Sequence, residues 1–224
     1  MPEAVIVATA RSPIGRAYKG SLRDMRPDDL AVQMVNAVLA KTPQLDPRDI
    51  EDLVLGSAQP GGEAGYNLAR VVAVLAGMDH LPGTTVNRFC ASSLQAIRMA
   101  AHAVKAGEGD AFIAVGVEAV SRYMHGNADG HPGTENPRFA AAQARSREVP
   151  DGVLDWSDPR ADGELPDIYV AMGHTAENVA ALERVSRAEQ DAYAVRSQNR
   201  AEKGIADGFW GRDITPVTLR AAPA

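Results

Sequence analysis

Short apolar runs alternate with amphipathic stretches over the first half of this 224-residue chain. The runs lack the apolar–polar alternation of a half-exposed strand, which is typical of strands buried in a parallel sheet. They predict four strands, at about Ala4–Ala8, Leu53–Ser57, Thr84–Val86 and Ala111–Val117. Because parallel neighbours need crossover connections, usually helices, the alternation predicts an α/β fold for this part of the chain.

Three amphipathic stretches between these runs predict the crossover helices. The first begins near Pro27, which suits a first helical turn, and the acidic Asp28 and Asp29 favour the positive end of the helix dipole. Its apolar positions recur on one face and are Leu30, Met34, Val35 and Val38. The second and third helices are predicted over Tyr66–Leu75 and Ser92–Val104.

The pattern changes at about Ser121. Residues 121–167 contain five Gly and five Pro without sustained periodicity, which predicts an inserted segment or a lid. Helices resume afterwards, one preceded by Thr175 and another opened by Ser186 and Glu189, which have the spacing of a capping box, and running to about Ala206. Ile214–Leu219 resembles the start of a strand. The predicted domains are therefore residues 1–120 and 121–224.

Composition and charge narrow the class of protein. Hydrophobic residues make up 45% and charged residues 23% of the chain, which excludes disordered and fibrous classes. The net charge is −6 at pH 7 and the basic residues are scattered, so we expect no nucleic-acid partner. No run approaches the ~18–20 apolar residues of a membrane span, and no signal peptide is predicted. With a single cysteine, which fits a reducing compartment, we expect a cytoplasmic protein without a membrane partner.

Cys90, the only cysteine, is the main candidate for chemistry. It stands where a predicted strand ends and a helix begins, and ligands commonly bind at this edge of an α/β sheet. Helix N-terminal N–H groups stabilise a thiolate, and the N–H of Cys90 could face a developing oxyanion. The small side chains that follow, Ala91, Ser92 and Ser93, leave room for a substrate carbonyl. The alternative is an inert packing residue, because free cysteines are usually buried.

Four segments, in this order along the chain, resemble motifs of the thiolases, a family of acetyl-CoA acetyltransferases and 3-ketoacyl-CoA thiolases. They are Arg11–Gly15, Asn87–Ala96, Gly116–Ser121 and Met172–Ala180, and Ser186–Gln198 is similar to the same family. The resemblance covers nearly the whole chain. It implies the layered α/β thiolase fold, with one βαβαβ half of an αβαβα sandwich and an inserted loop domain.

The resemblance implies roles for particular residues. Cys90 is implied to be the catalytic nucleophile that takes the acyl group, with its own N–H helping to hold the oxyanion. Met172 is implied to bind substrate near the thioester, although by itself it would be a core-filling residue. Residues from about Ser121 onward are implied to cover coenzyme A, which is a co-substrate and not a permanently bound cofactor. Ala171 occupies a position where the family often has histidine, so a pantetheine or acyl contact is missing or altered.

The family's second half-domain supplies an activating histidine and a second, acid/base cysteine, and neither has a counterpart in this sequence. Residues 130–133 superficially resemble the missing histidine motif, but we interpret them as ordinary loop residues. The other histidines, His80, His102, His125 and His174, lack the spacing of metal ligands, so we expect no metal site. A lone half would expose the apolar face meant for its partner. We therefore expect association with a separate C-terminal half, or a homodimer or homotetramer.

Two functions stay open. In the first, the chain is the N-terminal portion of a thiolase of lipid and fatty acid metabolism, which transfers an acyl group between Cys90 and coenzyme A. In the second, it is a non-catalytic thiolase-like subunit that binds acyl-CoA or a complete thiolase, and Cys90 is unreactive. Thiol reactivity at neutral pH distinguishes the two.

Overall fold

The computed structural model describes residues 2–123, 133–148 and 157–219. The helices are α1 (Pro27–Ala40), α2 (Leu68–Leu75), α3 (Ser92–Ala106), α4 (Ala140–Glu148), α5 (Met172–Leu182), α6 (Arg187–Ala206) and α7 (Phe209–Asp213). The strands are β1 (Asp52–Gly56), β2 (Gly83–Val86) and β3 (Phe112–Gly116). The chain divides into two compact units, one of residues 1–130 and 210–224 and the other of residues 131–209. The boundary predicted between residues 120 and 121 stays a prediction.

The three strands form a parallel sheet in the order β2–β1–β3. Each strand end lies within one residue of its predicted position, and the predicted α/β class is confirmed. β1 is buried from Leu53 onward, whereas β2 and β3 are only partly buried, so the prediction of fully buried strands is wrong for these two. The reason is their place at the edges of the described sheet, where each has a single neighbouring strand.

The main apolar core lies between one face of the sheet and helices α1 and α2. It joins Leu53 and Leu55 of β1 to Val35 of α1 and to Leu68 and Val72 of α2. Each of these side chains is completely or almost completely buried, and burial of one such side chain stabilises the fold by roughly 1.5–3 kcal/mol. Side chains alternate along a strand, so Gly56 lies on the opposite face, where α3 packs.

The crossover helices follow the sequence closely. α1 begins at Pro27 and α3 begins at Ser92, as predicted. α2 begins at Leu68 and not at Tyr66, because Asn67 adopts a left-handed conformation with φ of 52° that ends the preceding turn. In α1 the buried apolar positions are Pro27, Ala31 and Val35. The face that packs on the core is rotated from the predicted one, since Val32 and Leu39 also pack against the core.

The predicted first strand, Ala4–Ala8, is wrong. Residues 2–10 have no regular secondary structure, and the side chains of Val5, Ile6 and Val7 are 70–78% exposed. A strand forms only where the backbone of a neighbouring strand pairs with it. Within the described residues, no other backbone segment pairs with residues 2–10.

The predicted strand Ile214–Leu219 is reduced to a single bridge. Arg11 pairs with Ile214, and the N–H of Thr215 donates to the carbonyl oxygen of Arg11 at 2.7 Å. Farther along, Thr218 exchanges two hydrogen bonds with the side-chain amide of Gln33 on α1. These side-chain bonds hold the segment in place, but they do not continue a ladder.

The second unit is helical. α4 lies within the segment predicted to be irregular, so that prediction is wrong over Ala140–Glu148, where alanine and arginine favour a helix without any apolar stripe. α5 begins at Met172, three residues before the predicted Thr175, whose hydroxyl bonds back to the carbonyl oxygen of Ala171. Residues 124–132, which include part of the 130–133 motif, and residues 149–156 lie outside the described residues.

The capping box predicted for α6 is confirmed. Ser186 Oγ accepts a hydrogen bond from the N–H of Glu189 at 3.3 Å, and the Glu189 carboxylate accepts one from the N–H of Ser186 at 2.8 Å. The helix runs to Ala206, where it was predicted to end. Two otherwise unpaired N–H groups are satisfied by this exchange, which fixes where the helix starts.

Candidate active site

Cys90 lies in the short turn that connects β2 to α3. β2 ends at Val86 and α3 begins at Ser92, so the thiol stands two residues before the helix, at the carboxyl edge of the sheet. The Cys90 side chain is exposed, so it does not fill the core of the unit in which it lies. The backbone of Cys90 forms an isolated bridge with that of Arg88 in the same turn, but within the described part of the chain the N–H of Cys90 donates no hydrogen bond of ordinary geometry. A thiol and a free N–H donor therefore occur on the same residue.

The turn is held in an unusual conformation at Phe89. This residue has φ of 44°, in the left-handed region, which costs a bulky side chain of order 1–3 kcal/mol. Asn87 Oδ1 accepts a hydrogen bond from the N–H of Phe89 at 2.7 Å. Ser92 Oγ donates to the carbonyl oxygen of Phe89 at 2.6 Å and accepts from the N–H of Arg88 at 2.8 Å. Side chains on both sides of Phe89 thus offset the strain.

The three small residues after Cys90 differ in their surroundings. Ala91 and Ser93 are exposed, but Ser92 is 3% exposed and directs its hydroxyl to the backbone of the turn. The expectation that these small side chains leave room for a substrate carbonyl stays a prediction. The Ser92 hydroxyl belongs to the support of the turn.

Two glycines in the sheet lie beneath the start of α3. A β-carbon on Gly56 would come within 2.3 Å of the Ser92 carbonyl carbon, and one on Gly116 would come within 2.4 Å of Ser93 Cβ. These residues are paired neighbours in β1 and β3. Gly116 belongs to one of the predicted motifs, whereas Gly56 had no predicted role, although a glycine inside a strand often marks a close approach of another backbone.

Glu118, two residues beyond β3, fastens the segment that follows β1. Its carboxylate accepts hydrogen bonds from the N–H of Ala58 at 2.8 Å, from the Ser57 hydroxyl at 3.3 Å and from the Tyr123 hydroxyl. Burial and the bond to this carboxylate both raise the pKa of Tyr123, so its hydroxyl remains a donor at neutral pH. The cluster joins the carboxyl ends of β1 and β3. Glu118 lies in one of the predicted motifs, but no role was predicted for it.

An ion-pair network lies beside this cluster. Glu63 pairs with Arg122 at 2.5 Å and with Arg26 at 2.9 Å, and Arg26 also pairs with Asp28 at 2.7 Å. Burial would raise the pKa of Asp28, but hydrogen bonds from Arg26 and from the N–H of Asp29 outweigh it and hold the pKa below its usual value. The network ties the start of α1 to the segment after β3.

Comparison with known proteins identifies the family in which this turn occurs. A family profile described as "Thiolase, N-terminal domain" matches residues 4–223. The chain belongs to the thiolase family. The resemblance seen in the four sequence motifs is thereby confirmed, and the parallel α/β sheet is consistent with a thiolase-like fold.

Curated thiolases match nearly the whole chain. It is 40% identical over 223 residues to the 3-oxoadipyl-CoA/3-oxo-5,6-dehydrosuberyl-CoA thiolase of Escherichia coli, covering 98% of this chain and 53% of that protein. It is 40% identical over 221 residues to a 3-ketoacyl-CoA thiolase of Bacillus subtilis, covering 98% of this chain and 50% of that protein. A beta-ketoadipyl-CoA thiolase of Pseudomonas knackmussii is 38% identical over 221 residues, covering 97% of this chain and 52% of that protein. The chain therefore spans about half the length of the curated relatives it matches.

The second residue singled out by the thiolase motifs, Met172, is the first residue of α5 in the second unit. It is 72% exposed, so it does not fill the core of that unit as described. Ala171, the N-cap residue of α5, offers no side-chain hydrogen bond there. Cys90 belongs to the first unit.

The described ranges 2–123, 133–148 and 157–219 contain neither a candidate metal site nor a helix that could span a membrane. No group of three or more His, Cys, Asp or Glu side chains is placed to hold a metal ion there. Every helix in the same ranges is too short or too polar to cross a bilayer.

Proposed function

We propose that this chain supplies the nucleophile of a thiolase, an acetyl-CoA C-acyltransferase that moves acyl groups between Cys90 and coenzyme A. The observation that carries the proposal is the exposed Cys90 thiol, with an unpaired N–H on the same residue, in a chain whose residues 4–223 match the thiolase N-terminal domain. We take 3-ketoacyl-CoA thioesters as the substrate class, because the Bacillus subtilis relative is named for them.

In the degradative direction, the Cys90 thiolate attacks the C3 carbonyl carbon of the 3-ketoacyl-CoA and forms a carbon–sulfur bond. The carbonyl oxygen becomes an oxyanion, and the N–H of Cys90 is one donor available to it. The C2–C3 bond then breaks and its electron pair stays on C2, which takes up a proton and leaves as acetyl-CoA. The shortened acyl group remains on Cys90 as a thioester.

In the second step, the thiol of coenzyme A loses its proton and attacks the thioester carbonyl. The shortened acyl-CoA leaves, and Cys90 returns as a thiolate. Run backwards, the same steps join two acyl-CoA molecules. The proton donors and acceptors are the histidine and the second cysteine that the family resemblance implies, and we propose that a C-terminal half-domain supplies them.

We propose further that Met172 contacts the acyl or pantetheine end of the bound thioester. Its exposed thioether at the start of α5 is free to pack against an apolar ligand. Ala171 presents only a methyl group where the family often has histidine, so this contact is apolar and lacks a hydrogen bond. Coenzyme A enters and leaves as a co-substrate, and we propose no resident cofactor.

The partner we propose is a C-terminal thiolase half, within a homodimer or homotetramer in the cytoplasm. Leu94 and Ile97 of α3 are exposed, as are the apolar side chains of residues 5–7. A water-exposed apolar surface of this kind is typical of an interface.

A thiolysis assay on the protein purified from its own cells tests this proposal. Acetoacetyl-CoA and coenzyme A should yield acetyl-CoA, and the Cys90→Ala variant should lose this activity. Native and denaturing mass measurements on the same sample show whether a C-terminal half is present. If that half is present but the wild-type protein neither turns over nor reacts at Cys90, the alternative of a non-catalytic acyl-CoA-binding subunit replaces our proposal.

A further inference from the structure

The peptide group that joins Phe89 to Cys90 is held from one side by Ser92. Its carbonyl oxygen accepts a hydrogen bond from Ser92 Oγ at 2.6 Å and another from the Ser92 N–H at 3.0 Å. Ser92 is almost completely buried, so water does not compete for its hydroxyl. The same hydroxyl accepts from the N–H of Arg88, which fixes the orientation of its O–H bond. Three hydrogen bonds therefore lock this carbonyl oxygen and the hydroxyl beneath it.

The other end of this peptide group is the N–H of Cys90. A peptide group is planar, and in the trans form its C=O and N–H bonds point in opposite directions. The chain has no cis peptide bond in its described parts. Because Ser92 fixes the direction of the Phe89 carbonyl, it also fixes the direction of the Cys90 N–H. That N–H points away from the buried hydroxyl and donates to no group within the described residues.

Because the backbone of Phe89 is strained, these hydrogen bonds are needed to keep the turn in its observed conformation. With φ of 44°, Phe89 is in a conformation that a bulky residue leaves unless its surroundings prevent it. A return of Phe89 to the ordinary region of backbone angles would rotate the following peptide group and turn the Cys90 N–H away from its present direction. Asn87 holds the N–H side of Phe89, and Ser92 holds its C=O side.

We propose that Ser92 is a positioning residue for acyl transfer, whose buried hydroxyl orients the Cys90 N–H toward the oxyanion. This inference rests on the function proposed above. Ser92 does not touch the substrate, because it acts through the Phe89–Cys90 peptide group. Its contribution belongs to the transition state, where the oxyanion is formed, and not to the binding of the ground-state thioester.

Two reactions of the same thiol test the proposal in the protein with its full complement of chains. Transfer of an acyl group from acetyl-CoA to Cys90 passes through an oxyanion, whereas alkylation by iodoacetamide does not. Ser92→Ala should lower the rate of Cys90 acylation about tenfold, less than the loss of a whole oxyanion donor. It should change the alkylation rate by less than about threefold and should lower kcat while KM stays within about twofold.

Thr42→Ala is the matched control. Thr42 Oγ1 also bonds to backbone carbonyl oxygens, but these belong to Val38 and Leu39 at the end of α1 and not to the Cys90 turn. Its loss should leave both reactions of Cys90 at wild-type rates. Asn87→Ala is a second test should Ser92→Ala fail to fold, because Asn87 is exposed and its truncation opens no cavity. It should slow acylation more than alkylation, as Ser92→Ala does.

The outcomes are distinguishable. Loss of acylation with alkylation retained in Ser92→Ala supports the inference, and the same result in Asn87→Ala supports its premise that the strained turn must be held for acylation. An equal fall in both rates would mean that the side chain only maintains the fold, and unchanged acylation would mean that the Cys90 N–H needs no such support. Either result overturns the inference while the proposed function stands. Absence of Cys90 acylation in the wild-type protein would instead overturn the proposed function itself.

Discussion

Gly56 of β1 and Ser92 of α3 are in direct backbone contact. The space beside Gly56 that a β-carbon would occupy lies 2.3 Å from the carbonyl carbon of Ser92, and real β-carbons do not come so close. The first turn of α3 therefore rests on the sheet without an intervening side chain. The Cys90 turn is hydrogen-bonded to Ser92. The absence of a side chain at Gly56 therefore determines how closely this turn can approach the sheet.

Gly56→Ala should displace the start of α3 and the Cys90 turn with it. The added methyl group meets backbone atoms that cannot move aside cheaply, so we expect a loss of about 1–3 kcal/mol in the free energy of unfolding and a lower rate of Cys90 acylation. Urea unfolding and single-turnover acylation by acetyl-CoA measure the two effects.

Gly211→Ala is the matched control for this substitution. A β-carbon there meets no atom within 4 Å, and the residue lies in α7 with no positive φ. It should leave stability unchanged or slightly increased. Equal behaviour of the two alanine variants would contradict the contact between Gly56 and Ser92.

The bond between Tyr123 and Glu118 should contribute measurably to stability. Tyr123→Phe, Glu118→Gln and the double variant form a cycle, for which we expect a coupling energy of about 1 kcal/mol, reduced from that of a buried charged pair because Glu118 is exposed. Thermal or urea unfolding gives the four values. Tyr18→Phe serves as the control, since within the described residues the Tyr18 hydroxyl makes no hydrogen bond. Additive effects of the two substitutions would show that this bond contributes nothing.

The strands that were located correctly from the sequence are those that pair with one another. β2 and β3 both pair with β1, so each of these apolar runs has a partner within the predicted α/β segment. Ala4–Ala8 has the same apolar character, but whether it pairs depends on a distant segment, which local pattern does not reveal. The capping box at Ser186 was predictable because its two partners, Ser186 and Glu189, are only three residues apart.

The same distinction holds for the candidate site. The position of Cys90 at a strand-to-helix junction follows from local pattern. The inward hydroxyl of Ser92 and the contact beneath it at Gly56 depend on how α3 packs on the sheet, which is a tertiary property. The left-handed Phe89 was also missed, because non-glycine residues adopt this conformation only when their surroundings force it.

Asp28 should make the free energy of unfolding depend on pH in the acidic range. Its folded-state pKa is below the ordinary value of 3.8, so the unfolded chain binds this proton more tightly. The stabilisation by the bond to Arg26 is thus fully present above about pH 5 and is lost as pH falls below about 4. Asp28→Asn should cost about 1–3 kcal/mol at pH 7, and the difference from wild type should shrink toward pH 3.

Urea unfolding at pH 7, 5 and 3 measures this difference. The exposed Asp49→Asn variant, of the same charge change, is the control and should follow the wild-type profile. The free energies of unfolding of the wild type and of Asp28→Asn are compared at each pH. If they differ by the same amount from pH 7 to pH 3, the assigned role of the ion pair is contradicted.

The central claim is that Cys90 carries the acyl group, and trapping of the acyl-enzyme tests it most directly. The protein in its native assembly is mixed with acetyl-CoA, quenched in acid and digested, and the Cys90 peptide is weighed by mass spectrometry. We predict an acetyl adduct on Cys90 that disappears when coenzyme A is added before the quench and never forms in the Cys90→Ala variant. An acetyl group found on another residue, or acetyl transfer that persists in Cys90→Ala, would contradict the account.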